Sequence, residues 1–215
     1  MNKIKIFYDV IKTLKDTDIF NGVATAEVQK DQVKIFYVKN EFQKNLLTLQ
    51  AKANITTEVD YEGKQVKHQS TTEFTNHCPR QGHHKLFEQM HHAGGKCGGI
   101  KAKLTKLAFV FNLLNSIQVE EQKDKEILIT LELTELPEDI KTLIQEKISS
   151  DSGQKHGHHC FMKELCSLEK GNFSFAMSVN QYYEIEKIVI VFDGIQNNEQ
   201  NDQHVLNIKA ELQLT

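Results

Sequence analysis

The chain has 215 residues, 39% of them apolar and 26% charged, a globular composition long enough to bury a core without disulfide or metal staples. Its 26 Lys and Arg are offset by 29 Asp and Glu, so the basic excess of a nucleic-acid binder is absent. No apolar run exceeds five residues, the length of Leu107 to Phe111, far short of the roughly 20 that a transmembrane helix needs.

At the N-terminus, Ile4, Ile6, Phe7, Val10, Ile11 and Leu14 recur at three and four, which predicts an amphipathic helix ending near Asp16. Lys5 and Asp9 interrupt its apolar residues, unlike a secretory signal. A cytoplasmic location is expected, or export if a leader has been removed. From Gly22 to Thr75 the texture becomes β-branched and alternating, and the stretch from Val59 to Val66 reads as two strands joined at Glu62-Gly63.

Residues 76–99 break this pattern with Pro79, Gly82 and the run from Gly94 to Gly99, a composition suited to an exposed excursion. Helical spacing returns from Ile100 through Leu104, Leu107, Phe111 and Leu114 to about Ile117. Ile129, Leu131 and Leu133 then alternate with polar residues as a half-buried strand. Pro137 suits the first turn of a helix carrying Ile140, Leu143, Ile144 and Ile148. A second excursion spans residues 150–166. Strands follow from Phe173, from Ile185 to Phe192, and from Leu206 to Leu214, the last two joined by a polar hairpin at Gln196 to Gln203. The order predicts one α+β domain over residues 1–215, a large antiparallel sheet with one solvated face and helices packed on the other.

The His and Cys residues are crowded. Of ten His and four Cys, twelve lie within residues 77–97 and 156–166. On a helix from His83 to His92, the residues His84, Glu88 and His91 or His92 share one stripe, a geometry that chelates a divalent metal. Cys97, or His156, His158, His159 and Cys160 of the second excursion, would complete the tetrahedral N/S/O set that zinc takes. The bland alternatives are solvated loops without a shared role, or disulfides among Cys78, Cys97, Cys160 and Cys166; a cytoplasmic location favours reduced thiols. The glycines from Gly94 to Gly99 lack the Gly-Lys-Ser/Thr of a phosphate-binding loop, and no catalytic set is present.

Asn112 to Ile148, with its Val-Glu-Glu and Ile-Thr-Leu-Glu-Leu segments, followed by Asn180 to Thr215, with Tyr-Glu-Ile-Glu-Lys-Ile and a final alternating strand, resembles the C-terminal half of LolA/LppX-like lipoproteins of Gram-positive bacteria. The opening helix and the hairpin at Gly63 fit the N-terminal half of that family. The resemblance implies a curved antiparallel sheet, an incomplete barrel closed by helices, around an apolar cavity that in the family holds acyl chains or lipoproteins. The His/Cys excursions are not part of the family pattern.

Two functional expectations follow. The first is a non-enzymatic binding protein on this scaffold, holding zinc or another transition metal through His84, Glu88, His91, His92, Cys97, His156, His158, His159 and Cys160. The alternative is a carrier or sensor of an apolar small molecule or acyl chain, in a cavity lined by Leu107, Phe111, Leu114, Phe173, Phe175 and Met177.

Overall fold

The computed structural model describes residues 2–61, 63–75, 114–134, 168–197 and 203–215. The expected first helix is present as α1 (Lys3–Asp16), with Asn2 Oδ1 accepting from the N–H groups of Ile4 and Lys5 as its N-cap. Ile6 and Val10 are its buried residues, with Phe7 and Leu14 half-buried beside them. Ile4 and Ile11, expected in the apolar stripe, are instead 65% and 48% exposed. At 100° per residue they lie roughly 100–120° round the helix from Val10, outside the seam. Lys3 lies within it, and its ammonium donates to the carbonyls of Leu114, at 3.5 Å, and Ile117, at 2.5 Å.

Among the described residues nine strands follow: β1 (Ile19–Lys30), β2 (Val33–Asn45), β3 (Gln50–Tyr61), β4 (Lys64–Thr75), β5 (Gln118–Glu121), β6 (Ile127–Leu133), β7 (Leu168–Val179), β8 (Ile185–Asn197) and β9 (Gln203–Leu214). They form one antiparallel sheet in the order β4-β3-β2-β1-β9-β8-β7-β6-β5. The expected hairpin at Gly63 joins β3 and β4, with Tyr61 opposite Lys64 and Gly63 at a φ of 75°. The strands expected near Ile129, Phe173, Ile185 and Leu206 are β6 to β9. β5 is not predicted by the apolar spacing, in which helical texture runs to about Ile117. Of the helix expected from Ile100 to about Ile117, residues 100–113 lie outside the described residues and Leu114–Ser116 is helical; the helix expected over 137–148 and both His/Cys excursions also lie outside them.

Two turns set local register. Asp31 and Gln32 both have positive φ, 51° and 68°, between the facing residues Lys30 and Val33, the geometry of a type I′ hairpin. Asp31 is then fixed from outside: its carboxylate accepts from the Val205 N–H at 2.9 Å and meets His204 Nδ1 at 2.7 Å, while its own N–H donates to the Val205 carbonyl. The second turn joins β7 to β8, where Asn180 Oδ1 accepts from the N–H groups of Tyr182 and Glu184.

The Val205 bond and the nearby His204 hold the Asp31 carboxyl below its ordinary pKa. A depressed folded-state pKa contributes stability that is present above the ordinary value, about pH 4 for Asp, and is lost as pH falls through the lowered one. Between those two values the native chain is therefore expected to lose more stability than Asp31→Asn, which has no carboxylate to protonate. Thermal melts of both proteins between pH 7 and pH 2.5 check this, and identical acid profiles would contradict it.

Residues facing each other across an antiparallel ladder share a face. One row runs through all nine strands: Val119, Ile129, Met177, Ile188, Leu212, Ala24, Asn40, Ile55 and Ser70. The adjacent row on the other face reads Gln118, Thr130, Ala176, Val189, Glu211, Thr25, Lys39, Thr56 and Gln69. The sheet thus has an apolar and a polar face. The ion pairs Lys39–Glu41, Lys52–Glu73, Lys67–Glu58 and Lys187–Glu211 all fall on the polar one. Solvated pairs of this kind contribute little individually.

α1 packs on the apolar face at the β5–β8 end, where Ile6 and Val10 cluster with Ile127, Ile129, Met177 and Val179. At two points the sheet backbone closes on this face. A Cβ on Gly22 would lie 2.4 Å from the Gln213 carbonyl oxygen, and one on Gly171 would lie 2.7 Å from that of Asp193. In both places a phenylalanine ring covers the glycine, Phe42 over Gly22 and Phe192 over Gly171.

Candidate ligand-binding face

The apolar face is built from alternation. Phe173, Phe175, Met177 and Val179 of β7 stand opposite Leu133, Leu131, Ile129 and Ile127 of β6. On the other side, Phe173, Phe175 and Met177 stand opposite Phe192, Ile190 and Ile188 of β8, which continue to Ile208, Ala210 and Leu212 of β9. Three of the six expected cavity residues therefore occupy one stripe of one strand. Of these, Met177 is 7% exposed and packed in the cluster beneath α1, whereas Phe173 and Phe175 are half-buried. Leu114 is half-buried, with its carbonyl bonded by Lys3. Leu107 and Phe111 lie outside the described residues.

Two features of this face are not among the expected site residues. Ile190 sits in its interior, between Phe175 and Ala210, yet is 36% exposed. Its neighbours on this face, Phe175, Ala210, Ile188 and Phe192, are half-buried, and full burial is reached only further off, at Ile129 and Val179 beneath α1 and at Leu206 on β9. Solvent thus reaches the middle of an apolar surface. The second feature is Asn40, in the same cross-sheet row as Ala24 and Ile55. Its Oδ1 is buried and has no hydrogen-bond partner among the described residues. A buried carbonyl without a donor costs about 1–3 kcal/mol, so a hydroxyl or amide N–H brought in by a ligand would gain that much here. The alternation Phe36, Val38, Asn40, Phe42 is the one sequence signal that marks it, a polar residue in an apolar series.

A cavity of about 270 Å³ opens at the end of the face, where Leu14 of α1 meets Ile19 and Phe20 of β1, Ile185 of β8 and Leu214 of β9. Thr13, Thr17, Asn180 and Glu184 supply its polar rim. Its size is just below the range of small-molecule pockets, and its apolar wall with a few polar groups matches their composition.

His84, Glu88, His91, His92, Cys97, His156, His158, His159 and Cys160, the expected metal ligands, lie outside the described residues. Among the described residues no group of three or more His, Cys, Asp or Glu is arranged to hold a metal ion. No helix among them is long and apolar enough to cross a membrane.

No protein-family model matches the chain, and no curated protein does. Among solved structures, the tesB protein of Mycobacterium avium subs paratuberculosis is 8% identical to it, over 99% of this chain and 85% of that one, with a TM-score of 0.14. An N-terminal dehydratase from the difficidin assembly line is 11% identical over 90% and 78% of the two chains, also with a TM-score of 0.14. At those scores neither likeness assigns a fold or a function to this chain.

Proposed function

We propose that this is a non-enzymatic carrier or sensor of an apolar ligand with a long hydrocarbon portion, held against the apolar face of the sheet. The observation that carries the reading is Ile190, an aliphatic side chain exposed to 36% inside an otherwise apolar face. Asn40 supports it, because its unpartnered carbonyl suits a ligand bearing a single donor such as a hydroxyl or amide. On this reading the sheet is the curved, incomplete barrel of the LolA/LppX-like scaffold. Its open order among the described residues, with β4 and β5 at the ends, and the two glycines at close strand approaches on the apolar face favour that shape.

The test is mass spectrometry of organic extracts of the purified chain, followed by titration with a fluorescent fatty acid. An acyl-chain compound at about one equivalent is expected, with Ile190→Asp weakening binding at least tenfold, since a charge placed in an apolar site loses its hydration. Gln213→Asp, on the polar face, is the control and should bind as the native chain does. An empty extract together with no binding at micromolar probe would end the proposal.

The crowding of His and Cys favours a second reading, in which residues 77–97 and 156–166 hold zinc or another divalent transition metal. Elemental analysis of untagged protein purified without nickel should then find about one equivalent that survives dialysis. Combined replacement of His84 and His91 by Ala should lower it with the fold intact. Unchanged stoichiometry in that variant would remove those two residues from the site.

A further inference from the structure

β4 ends the sheet, and every residue of it but Ser70 is exposed. The two-residue hairpin sets Tyr61 opposite Lys64. In such a hairpin the closing pair exchanges both backbone hydrogen bonds, and along an antiparallel ladder these pairs alternate with non-bonded ones. No register shift interrupts the β3–β4 ladder. The even-numbered residues of β4 therefore bond to β3, and the N–H and C=O groups of Gln65, Lys67, Gln69, Thr71, Glu73 and Thr75 point away from the sheet. No strand pairs with them among the described residues.

A long unpaired edge is a template for another strand, and proteins usually blunt it with charge or Pro. Here the charges match each other. Lys67 and Glu73 lie on the polar face, Val66 and Phe74 on the apolar face, and each couple is spaced evenly about Ser70. Val66 is 60% exposed and Phe74 45%. We propose that β4 pairs antiparallel with β4 of a second copy of this chain, about a two-fold axis at Ser70, to join two nine-stranded sheets.

That register sets Lys67 against the partner's Glu73 and Val66 against the partner's Phe74, and each pairing occurs twice, as two-fold symmetry requires. Val66 and Phe74 then form non-bonded pairs, in which side chains approach closest. Lys67 already binds Glu58 at 2.7 Å and Glu73 binds Lys52 at 2.5 Å. The polar face would carry a row alternating in sign across the joint: Glu58, Lys67, the partner's Glu73, the partner's Lys52. Neighbouring registers lose both matches. Centring on Gln69 puts Lys67 opposite Thr71 and Val66 opposite Thr72, and centring on Thr71 puts His68 opposite Phe74. The outward groups from Gln65 to Thr75 supply about twelve backbone hydrogen bonds in the chosen register.

Analytical ultracentrifugation of the full chain from about 1 to 300 μM is the test, and a concentration-dependent dimer is expected. Thr71→Pro removes an outward N–H without touching the bonds to β3, a placement that edge strands tolerate, and should weaken the dimer at least tenfold. Glu73→Lys, which sets Lys against the partner's Lys67, should do the same and decides the matter if the Pro variant misfolds by circular dichroism. Ser70→Cys should oxidise to a dimer whose cross-linked peptide carries position 70 on both sides, because a non-bonded pair holds its Cα atoms about 4.5 Å apart, within disulfide reach. A monomer throughout the concentration range would overturn the proposal, as would a dimer indifferent to both edge variants or a cross-link confined to the native cysteines.

Discussion

Ile129→Ala is expected to lower the unfolding free energy by about 3–4 kcal/mol. Ile129 has no exposed surface and sits between Val119 and Met177, with Ile6 and Val10 of α1 in the same cluster. Removing three carbons forfeits about 0.8 kcal/mol each in transfer free energy. The remainder is the cavity left behind, at about 24 cal/mol per Å³. The cavity persists because hydrogen bonds to β5 and β7 on either side hold the β6 backbone in place. Ile4→Ala is the comparison, since Ile4 belongs to the apolar series of α1 but is 65% exposed, and its loss should stay within about 0.5 kcal/mol. Urea unfolding of the two variants checks the pair. Equal costs would mean that α1 does not pack as described.

Gly22→Ala should cost roughly 2–3 kcal/mol, the range for overpacking a closed site. This reverses the usual sign, because replacing Gly by Ala in a strand ordinarily relieves unfolded-state entropy and stabilises. Here the added methyl would lie 2.4 Å from the Gln213 carbonyl oxygen and 3.1 Å from Phe42 and Leu214 side-chain carbons. The carbonyl belongs to the ladder between β1 and β9 and has no free end to swing away. Gly63→Ala separates crowding from backbone strain: a Cβ there meets nothing within 4 Å, but φ is +75°. Its cost should be about 1–2 kcal/mol, the left-handed penalty for an L-residue. Denaturation midpoints rank the two, and amide exchange should show the Gly22 variant opening first at the β1–β9 ladder. A Gly22 variant more stable than the native chain would refute the close approach.

Much of this fold was legible because one face of nearly every element is apolar. Period-3.6 spacing located α1, and alternation located β6, the second half of β7, from Phe173 to Val179, and β9. The hairpin at Gly63 was legible from turn chemistry, since Gly takes the positive φ without cost. β5 escaped because its four residues, Gln118 to Glu121, carry a single apolar side chain, Val119, too short a signal to separate from the preceding helical texture. Strand order escaped for another reason. Periodicity tells which way a side chain faces and carries nothing about which strand lies beside it, so the pairing of β1 with β9 had no local signature. On the candidate site, the stripe Phe173, Phe175, Met177 was readable as a common face, whereas the exposure of Ile190 depends on what neighbouring strands and α1 leave uncovered. Asn40 was hidden by context, since an Asn in a strand reads as a solvated residue until register shows which face it occupies.

The β1–β9 ladder is the only pairing among the described residues that joins the first four strands to the last five. Every other neighbouring pair of strands is consecutive along the chain, so each group can assemble as a meander from local contacts, while the seam between them spans most of the sequence. On a ribosome β1 emerges some 170 residues ahead of β9, and at roughly 5–20 residues per second it waits about 10–35 s for its second neighbour. During that interval the first meander has two open edges, and the β1 edge is the one flanked by Ala24, Ala26 and Val28 on the apolar side. The nascent chain is thus most vulnerable to mispairing at the centre of the finished sheet, where a chaperone that shields extended strands would act with greatest effect.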